Sequence, residues 1–288
     1  MQNLSDISVI KSVLAAHGFT FSKALGQNFI INPTVCPRMA DECLTDENTG
    51  VLEIGAGIGV LSAELCTRSK KVVCVELDDR LLPILADTLA EYPNFEVVNE
   101  DILKVDLEKL IAEKFPNMRV VVCANLPYYI TSPVIMKLLE SKLPIDAVTV
   151  MVQKEAAQRI CAKVGSRDAG AVTVGVNFYA ETHRLFEVTR GNFMPSPNVD
   201  STVMRLDIRK TPAINVSDEK LFFRVVKAVF GQRRKTASNS ISSGLAMPKD
   251  KVIAAIEDAG FPANVRAESM TMEELARLSE SIKKYIEA

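Results

Sequence analysis

The sequence predicts an α/β protein with an open, mostly parallel sheet, followed by a smaller helical domain. Three observations support this prediction. Short apolar runs of the kind that form buried parallel strands alternate with helical patterns through most of the chain. A glycine-rich turn, residues 55–59, directly follows the first of these strands. After Arg209 the strand pattern stops and a helical period takes over, so we assign residues 1–209 to an α/β domain and residues 210–288 to a helical domain. Ser217 is expected to cap the first helix of the helical domain. The buried stripe of that helix is predicted to comprise Leu221, Phe222, Val225, Val226, Val229 and Phe230.

The composition leaves room for these two domains. The chain has 288 residues, of which 48% are hydrophobic and 24% charged, and its formal net charge is -2. No apolar run reaches the roughly 20 residues of a membrane-spanning helix, and the N-terminus lacks the hydrophobic region of a signal peptide. We therefore expect a cytoplasmic protein with no membrane contact. The 6 cysteines are scattered without a C-x-x-C pair, so we expect reduced thiols and no bound metal.

The N-terminal part of the chain contains a helix and then an unusual loop. An amphipathic helix is predicted from Asp6 to His17, with Asp6 as its N-cap. Residues 21–30 follow, with polar and apolar residues mixed without a period. Because Gly-Gln-Asn at residues 26–28 would be an odd choice for a plain linker, we expect this loop to have a function. A second helix then leads to the short buried strand Val51–Ile54.

The turn from Gly55 to Gly59 joins a strand to a helix, as in nucleotide-binding βα units. Glycines let the backbone approach a ligand, and the N-terminus of the helix faces it. Glu76 ends the next strand, about 20 residues later, where a carboxylate can accept hydrogen bonds from both ribose hydroxyls. Asp101 follows the third strand and is a candidate partner for an adenine amino group. Each acid alone would more often be a surface or capping residue, but acids at successive strand ends favour a nucleotide site.

The spacing of the glycines favours S-adenosylmethionine over a dinucleotide. A dinucleotide-binding turn has the pattern G-x-G-x-x-G. Here Val60 stands in the place of the last glycine, and Gly59 comes one residue earlier. With Glu53 ahead of it, the turn has the pattern E-x-G-x-G-x-G. Such a turn has no diphosphate to cradle and need only pass close to the methionine part of the cofactor.

The apolar strand Val120–Ala124 stops at Asn125-Leu126-Pro127-Tyr128, beyond the carboxyl end of the strand, where open α/β sheets bind ligands. The Asn125 side-chain oxygen and a backbone carbonyl held by Pro127 can accept both hydrogens of an exocyclic amine. Tyr128 offers a flat face to a base that has left its stack. An adenine amine is a poor nucleophile because its lone pair is delocalised, and acceptors for its protons would draw it toward tetrahedral geometry. A strand followed by an ordinary Asn-Pro turn is the alternative for these four residues alone.

The charge distribution indicates one region that would contact nucleic acid. Between Met204 and Lys235 there are nine lysines and arginines but only three acids. The consecutive cations Arg233, Arg234 and Lys235 favour contact with RNA phosphates. The alternative is a solvated helix end, where basic residues interact favourably with the helix dipole.

Eight short segments share their composition and their order with one known family. They are Leu25-Gly26-Gln27-Asn28-Phe29, Glu53-Ile54-Gly55-Ala56-Gly57, Val75-Glu76-Leu77-Asp78, Glu100-Asp101, Asn125-Leu126-Pro127-Tyr128-Tyr129-Ile130, Gln153-Lys154-Glu155, Phe193-Met194-Pro195-Ser196-Pro197-Asn198-Val199-Asp200-Ser201 and Gln232-Arg233-Arg234-Lys235-Thr236. Together they resemble the small-subunit rRNA adenine dimethyltransferases, the KsgA group. The resemblance extends from about residue 21 to residue 270.

The resemblance implies a fold, an activity and a partner. The fold is a Rossmann-like, class I S-adenosylmethionine-dependent methyltransferase with a mostly parallel seven-stranded sheet, plus a small all-α C-terminal domain. The activity is methyl transfer to N6 of two adjacent adenosines in small-subunit (16S) rRNA during small-subunit biogenesis. The implied partner is the rRNA of the immature small subunit, and the implied oligomeric state is a monomer.

The resemblance also implies roles for particular residues. Asn125, with the backbone of Leu126 and Pro127, would hold the target amine. Tyr128 and Phe193 would sandwich the target adenine. Glu76 would bind the ribose of S-adenosylmethionine and Asp101 its adenine. The other positions expected to bind the cofactor are Asn28, Ile30, Gly55, Gly57 and Asn125.

Three other functions are considered. The large-subunit rRNA adenine N6-methyltransferases of the macrolide-resistance type share the motif at Asn125–Tyr128 and the same sheet. The segments Phe193–Ser201 and Gln232–Thr236 favour the small-subunit enzyme. A mainly non-catalytic assembly factor that binds immature small subunits is a second alternative. A DNA adenine methyltransferase is disfavoured, because no target-recognition insert interrupts the predicted sheet.

Overall fold

The structure, a computed structural model, describes residues 4–22, 25–232 and 235–287. The chain divides into two compact units. The first comprises Met1–Ala157 and Thr182–Ile208, and the second comprises Gln158–Glu181 and Arg209–Ala288. One crossing between the units lies at residues 208 and 209, beside the boundary that the sequence predicts. The segment 158–181 groups with the C-terminal residues, whereas the two-domain division at residue 209 stays a prediction.

The first unit is built on a seven-stranded sheet, and two further short strands form a sheet of their own. In chain order the strands are β1 (Phe29–Ile30), β2 (Thr49–Ile54), β3 (Lys71–Glu76), β4 (Phe95–Asn99), β5 (Arg119–Asn125), β6 (Ala147–Gln153), β7 (Ala180–Val188), β8 (Phe193–Met194) and β9 (Ser201–Ile208). The sheet has the spatial order β4-β3-β2-β5-β6-β9-β7, while β1 and β8 form a separate two-stranded sheet. The pairs from β4 to β6 are parallel, and β9 runs antiparallel to β6. The predicted fold class is confirmed.

The strand order creates a crevice between β2 and β5. From β2 the chain proceeds outward to β3 and β4, whereas from β5 it proceeds to β6 on the other side. Connections that leave two neighbouring strands in opposite directions open a gap beyond their carboxyl ends, and open α/β sheets bind ligands there. The glycine turn follows β2 directly, and Asn125 is the last residue of β5.

The central strands form a rigid apolar platform under this crevice. Every residue of β2 is buried, and so is every residue of β5 between its two ends. Parallel strands that are covered on both faces have this continuous apolar character. Each fully buried Val or Leu contributes about 1.5–3 kcal/mol relative to exposure. The polar side chains that line the crevice therefore lie at or just beyond the strand ends.

Twelve α-helices accompany the strands in the described residues. They are α1 (Ile7–Ala16), α2 (Val35–Asp41), α3 (Val60–Cys66), α4 (Leu82–Thr88), α5 (Leu107–Lys114), α6 (Thr131–Glu140), α7 (Lys154–Ile160), α8 (Ala171–Tyr179), α9 (Glu219–Phe230), α10 (Ala237–Leu245), α11 (Lys249–Asp258) and α12 (Met272–Glu287). Helices α2 and α3 contribute to one buried apolar cluster, and α1 and α4 to another. No described helix is long and apolar enough to cross a membrane.

Two predicted helix starts have different outcomes. Asp6 caps α1 as predicted, by accepting a hydrogen bond from the backbone of the first turn. The prediction that Ser217 caps α9 is wrong, because Asp218 is the N-cap. The backbone N–H and the hydroxyl of Ser217 instead donate to the carboxylate of Glu280, at 2.9 and 2.7 Å. The serine is therefore engaged by α12 and is not available to the first turn of α9.

The second unit is organised around aromatic side chains from α8 and α9. The ring of Phe178 lies 5.5 Å from that of Phe222 and 5.1 Å from that of Phe223, centroid to centroid. Tyr179 stacks on Phe223 at 5.5 Å. These contacts join α8 to the C-terminal helices, which explains why the segment 158–181 belongs to this unit. The predicted buried stripe of α9 is confirmed at Leu221, Phe222, Val225, Val226 and Val229, whereas Phe230 is only partly buried.

Candidate active site

A cleft of about 220 Å³ opens at the carboxyl ends of β2, β3 and β5. Its walls come from the N-terminal loop, the glycine turn, the ends of β3 and β4, and the segment that follows β5. Every described residue that the sequence predicts for cofactor or base binding lines it: Asn28, Ile30, Gly55, Gly57, Glu76, Asp101, Asn125, Leu126, Pro127, Tyr128 and Phe193. The fold therefore brings these residues together, while their individual roles stay predictions.

The glycine turn has a backbone that other residues rarely adopt. Gly55 and Gly57 have φ angles of 75° and 58°, in the left-handed region that favours glycine. A Cβ atom on Gly57 would also lie 3.2 Å from the ring of Phe29, which packs behind the turn. No atom of the described residues lies within 4 Å of the corresponding position of Gly55. The turn thus leaves its backbone accessible to a ligand in the cleft, as the sequence predicts.

Glu76 is a buried acceptor at the end of β3. Its Oε1 atom accepts a hydrogen bond from the Asp78 backbone N–H at 2.9 Å. Burial raises the pKa of the Glu76 carboxyl, because the charged form loses water. Hydrogen-bond donors from a ligand would replace the hydrogen bonds to water that the carboxylate has lost. The two hydroxyls of a ribose are such donors, so this residue fits S-adenosylmethionine.

Asp101 has a local structural role as well as a place in the cleft. Its Oδ1 atom accepts a hydrogen bond from the Leu103 N–H at 2.9 Å. The Lys104 ammonium lies 3.8 Å from Oδ2. The carboxylate therefore caps a turn, which is the alternative role that the sequence left open for this acid. It also lines the cleft. A carboxylate oxygen can accept more than one hydrogen bond, so the two roles are compatible.

The Asn125 amide has a defined orientation. Its Nδ2 atom donates a hydrogen bond to the backbone carbonyl of Asn28 at 3.3 Å. A carbonyl can only accept, so this contact determines which end of the amide is the nitrogen. The Oδ1 atom is then left as an acceptor. A target amine, which must donate its protons, requires this orientation.

The backbone beyond Asn125 offers one further acceptor. The Pro127 carbonyl already accepts a hydrogen bond from the Ile130 N–H at 3.2 Å. The Leu126 N–H donates to the Met151 carbonyl at 3.2 Å, but no described donor reaches the Leu126 carbonyl. Of the two backbone carbonyls that the resemblance implies, that of Leu126 is therefore the one that no described donor engages, and it has both lone pairs for an amine.

The two aromatic residues are held in different ways. The Tyr128 hydroxyl and the Ser201 hydroxyl are hydrogen-bonded at 2.9 Å. Burial raises the pKa of the Tyr128 phenol, so the side chain stays neutral. Phe193 is buried and packs in the apolar cluster that includes α2 and α3, yet it also lines the cleft. Its burial suits both a purely structural role in that cluster and a role in stacking on the target base.

The carboxyl group of Glu53 does not line the cleft. It is fully buried, and neither of its oxygens has a hydrogen-bond partner among the residues that the structure describes. Burial raises the pKa of Glu53 to about 8. The Ser62 hydroxyl lies close enough to lower that pKa in part, but it forms no hydrogen bond of normal geometry. Glu53 is thus a neutral core acid over most of the physiological range. Its position in the glycine pattern could not have shown this.

Gln27 is a site residue to which sequence reasoning assigned no role. Its Nε2 atom donates to the Asp78 carboxylate at 2.7 Å, and its Oε1 atom accepts from the Ser22 N–H at 2.9 Å. The only signal in the sequence was the unusual polar composition of the loop. Asp78 lies 51 residues away in the sequence, and the contact with Ser22 is made by its backbone N–H. Only the fold therefore reveals these partners.

The basic run is described only in part. Arg233 and Arg234 lie outside the described residues. Lys235 is exposed and lies just before α10. Contact between these residues and RNA phosphates therefore stays a prediction from the sequence.

The chain is similar in sequence to known proteins over most of its length. A family model for ribosomal RNA adenine dimethylase matches residues 18–284. A ribosomal RNA small subunit methyltransferase A from Anoxybacillus flavithermus is 48% identical over 276 residues, which are 94% of each chain. The protein of the same name from Alkaliphilus oremlandii is 43% identical over 287 residues, 99% of this chain and 100% of that protein.

Two solved structures are similar over most of this chain. The 23S rRNA methyltransferase ErmE is 28% identical, with a TM-score of 0.65, covering 89% of this chain and 100% of that chain. A dimethyladenosine transferase from Plasmodium falciparum has a TM-score of 0.73 at 23% identity, covering 89% and 98%. The second comparison shows the shared fold.

Proposed function

The chain belongs to the ribosomal RNA adenine dimethylase family, and we propose that it transfers methyl groups from S-adenosylmethionine to N6 of two adjacent adenosines in small-subunit (16S) rRNA. The relatives that are 43% and 48% identical are both named for the small subunit. ErmE, named for 23S rRNA, is 28% identical. The large-subunit alternative is therefore not favoured.

The observation that carries the proposal is the orientation of the Asn125 amide. Its oxygen is free to accept because its nitrogen is held by the Asn28 carbonyl. With the Leu126 carbonyl, it would give one acceptor for each proton of an adenine amine. Holding both protons draws the nitrogen toward tetrahedral geometry and localises its lone pair for attack. The chain then needs no strong base, provided that the amine and the methyl donor are held in line.

The residues of the cleft would divide the cofactor between them. When bound, S-adenosylmethionine supplies the methyl group, on a positively charged sulfur that leaves readily. Glu76 would accept hydrogen bonds from the ribose, and Asp101 would accept one from the adenine amino group. Gly55 and Gly57 would let the backbone pass close to the methionine part, because a side chain at either position would require strained backbone.

Tyr128 and Phe193 would hold the target base. A base that leaves its stack loses stacking energy, and an aromatic side chain returns about 1–3 kcal/mol for each base. The hydrogen bond to Ser201 restricts the Tyr128 ring to one place at the cleft. The raised pKa of the phenol keeps a negative charge away from the target amine.

We place this activity on immature small subunits in the cytoplasm, with the chain acting as a monomer. Family membership supports the rRNA substrate, and the predicted phosphate contacts at Arg233, Arg234 and Lys235 would supply affinity for it. The assembly-factor alternative involves the same partner, so binding alone does not separate the two. Catalysis does.

The test is methylation of purified small subunits that lack the modification, with labelled S-adenosylmethionine, followed by mapping of the modified nucleotides. We expect label on two adjacent adenosines of the small-subunit RNA, as dimethyladenosine. An Asn125→Ala variant is the negative control. Label in large-subunit RNA instead would contradict the proposal, and tight subunit binding without label would support the assembly-factor alternative.

A further inference from the structure

We propose that Gln27 is a positioning residue for methyl transfer. It acts through the N-terminal loop, by holding the Asn28 carbonyl where it sets the orientation of the Asn125 amide. The inference rests on the proposed function, because Asn125 is the residue that Gln27 positions. Gln27 itself would touch neither of the reacting atoms.

Both ends of the Gln27 amide are used. The Nε2 atom donates to Asp78 Oδ2 at 2.7 Å, and the Oε1 atom accepts from the Ser22 N–H at 2.9 Å. Hydrogen bonds to a charged group are about twice as strong as neutral ones. The side chain therefore joins the start of the loop to the residues that follow β3.

Asp78 is a firm anchor for this contact. It is buried, and the Arg80 guanidinium donates to both of its carboxylate oxygens, at 2.8 Å from Nε and 2.6 Å from Nη2. This contact keeps the pKa of Asp78 below its usual range, so the carboxylate stays ionised. Its backbone N–H donates to Glu76 Oε1. Gln27 is thus tied to the same strand end that would hold the ribose.

The loop is held on both sides of Asn28. Gln27 holds it on one side, and on the other Phe29 and Ile30 pair with Met194 and Phe193 in the β1–β8 sheet. Between these two attachments, the Asn28 carbonyl accepts from Asn125 Nδ2 at 3.3 Å. Release of the Gln27 side would leave that carbonyl free to move away from Asn125.

The orientation of Asn125 depends on that carbonyl. An amide side chain has an acceptor at one end and donors at the other, and rotation about χ2 exchanges them. Reversed, Asn125 would present Nδ2 to an amine that must itself donate. The contact with Asn28 disfavours this state. Loss of Gln27 should therefore lower the rate of methyl transfer more than the affinity for the cofactor.

The substitution Gln27→Glu tests this through pH. A protonated carboxyl reproduces both contacts, because its O–H donates to Asp78 and its carbonyl accepts from Ser22. An ionised carboxyl does not, since it would face the Asp78 carboxylate. Among the described residues, the charged groups near this position include Asp78, Arg80 and Glu76. Because Arg80 keeps Asp78 ionised, the introduced carboxyl is the group that takes up the proton, and the Asp78 charge raises its pKa.

We expect kcat on small subunits, relative to wild type at the same pH, to be about 10- to 100-fold lower near pH 8, the range that misplacement of a positioned group produces. The ratio should recover toward one as the pH is lowered to about 5.5, where a carboxyl beside an anion is protonated. Cofactor affinity, measured by calorimetry, should change less than kcat at both pH values. Gln158→Glu, the same change at an exposed position of α7, is the matched control and should show a ratio independent of pH.

A second variant guards against misfolding. Gln27→Met keeps the length of the side chain but can form neither hydrogen bond, so its kcat should be lower than that of wild type at every pH. Thermal unfolding is measured for every variant. A kcat ratio independent of pH in Gln27→Glu, or a wild-type kcat in a natively stable Gln27→Met, would overturn the positioning role. Wild-type protein that methylates no adenosine would overturn the proposed function and this inference with it.

Discussion

The backbone of Ile30 pairs with that of Phe193 in a two-stranded antiparallel sheet that is separate from the main sheet. The pairing continues beyond the strands, because the Ile31 N–H donates to the Asn192 carbonyl at 2.9 Å. The Asn32 side chain also donates to that of Asn192, at 2.7 Å. The N-terminal loop, which is expected to bind the cofactor, and Phe193, which is expected to stack on the base, are therefore attached to the same two-stranded sheet. Movement of either segment would displace the other.

Asn125→Ala should abolish methyl transfer, because it removes the side-chain acceptor for the target amine. Cofactor affinity should fall much less. Single-turnover methylation of small subunits measures the first effect, and calorimetry with S-adenosylmethionine measures the second. Turnover equal to that of wild type would show that the Asn125 side chain does not hold the target amine.

Glu76→Ala should weaken cofactor binding, because it removes a charge-assisted acceptor worth about 1.5–3 kcal/mol. Glu91→Ala, an exposed acid outside the cleft, is the control and should bind the cofactor as wild type does. Calorimetry on the three proteins makes the comparison. Equal affinities for all three would show that Glu76 does not hold the ribose.

Phe193→Leu separates stacking from a purely structural role. If the ring stacks on the target base, the variant should fold and bind the cofactor but lose about 1–3 kcal/mol of transition-state stabilisation. If the ring serves only the apolar cluster, the melting temperature should fall while activity is kept. Methylation kinetics and thermal unfolding of the same preparation decide between the two results.

Glu53→Gln should change how stability depends on pH. In the unfolded chain the Glu53 carboxyl has its ordinary pKa of 4.5, whereas burial raises it to about 8 in the fold. Between these values the unfolded state has released the proton and the folded state has kept it, so wild-type stability falls as the pH rises. Below pH 4.5 the penalty is absent, and above about pH 8 it is complete.

The glutamine side chain does not titrate, so the variant should gain stability over wild type by up to a few kcal/mol across that window. Urea unfolding of both proteins at several pH values measures the difference. Contributions from groups that do not interact with Glu53 are common to both proteins and cancel. A difference that does not vary with pH would mean that Glu53 is ionised in the fold.

Changing Arg233, Arg234 and Lys235 together to Ala tests the predicted contact with rRNA phosphates. Phosphate contacts release counterions, so the logarithm of affinity falls with the logarithm of salt by about 0.7 to 0.9 for each phosphate. The triple variant should bind immature small subunits more weakly and with a slope flatter by about two to three units. Cofactor binding should not change. Equal slopes would make these cations a solvated helix end.

Much of this architecture was predictable from the sequence because it depends on local signals. Buried parallel strands have continuous apolar runs, and β2, β3 and β5 lie where such runs predict them. The residues at the strand ends, Gly55, Glu76 and Asn125, then lie in one cleft because parallel strands end at the same edge of a sheet. Residue type and spacing were sufficient for that.

Other properties depend on residues that are far apart in the chain. The orientation of the Asn125 amide is set by Asn28, and the anchor of Gln27 is Asp78. The burial that keeps Glu53 neutral arises only when helices cover the sheet. Hydrogen-bond direction and desolvation are properties of an assembled environment, and no pattern within one segment encodes them. The sequence therefore identified the reactive groups, whereas long-range packing determined which of their atoms face a substrate and which are engaged by the protein itself.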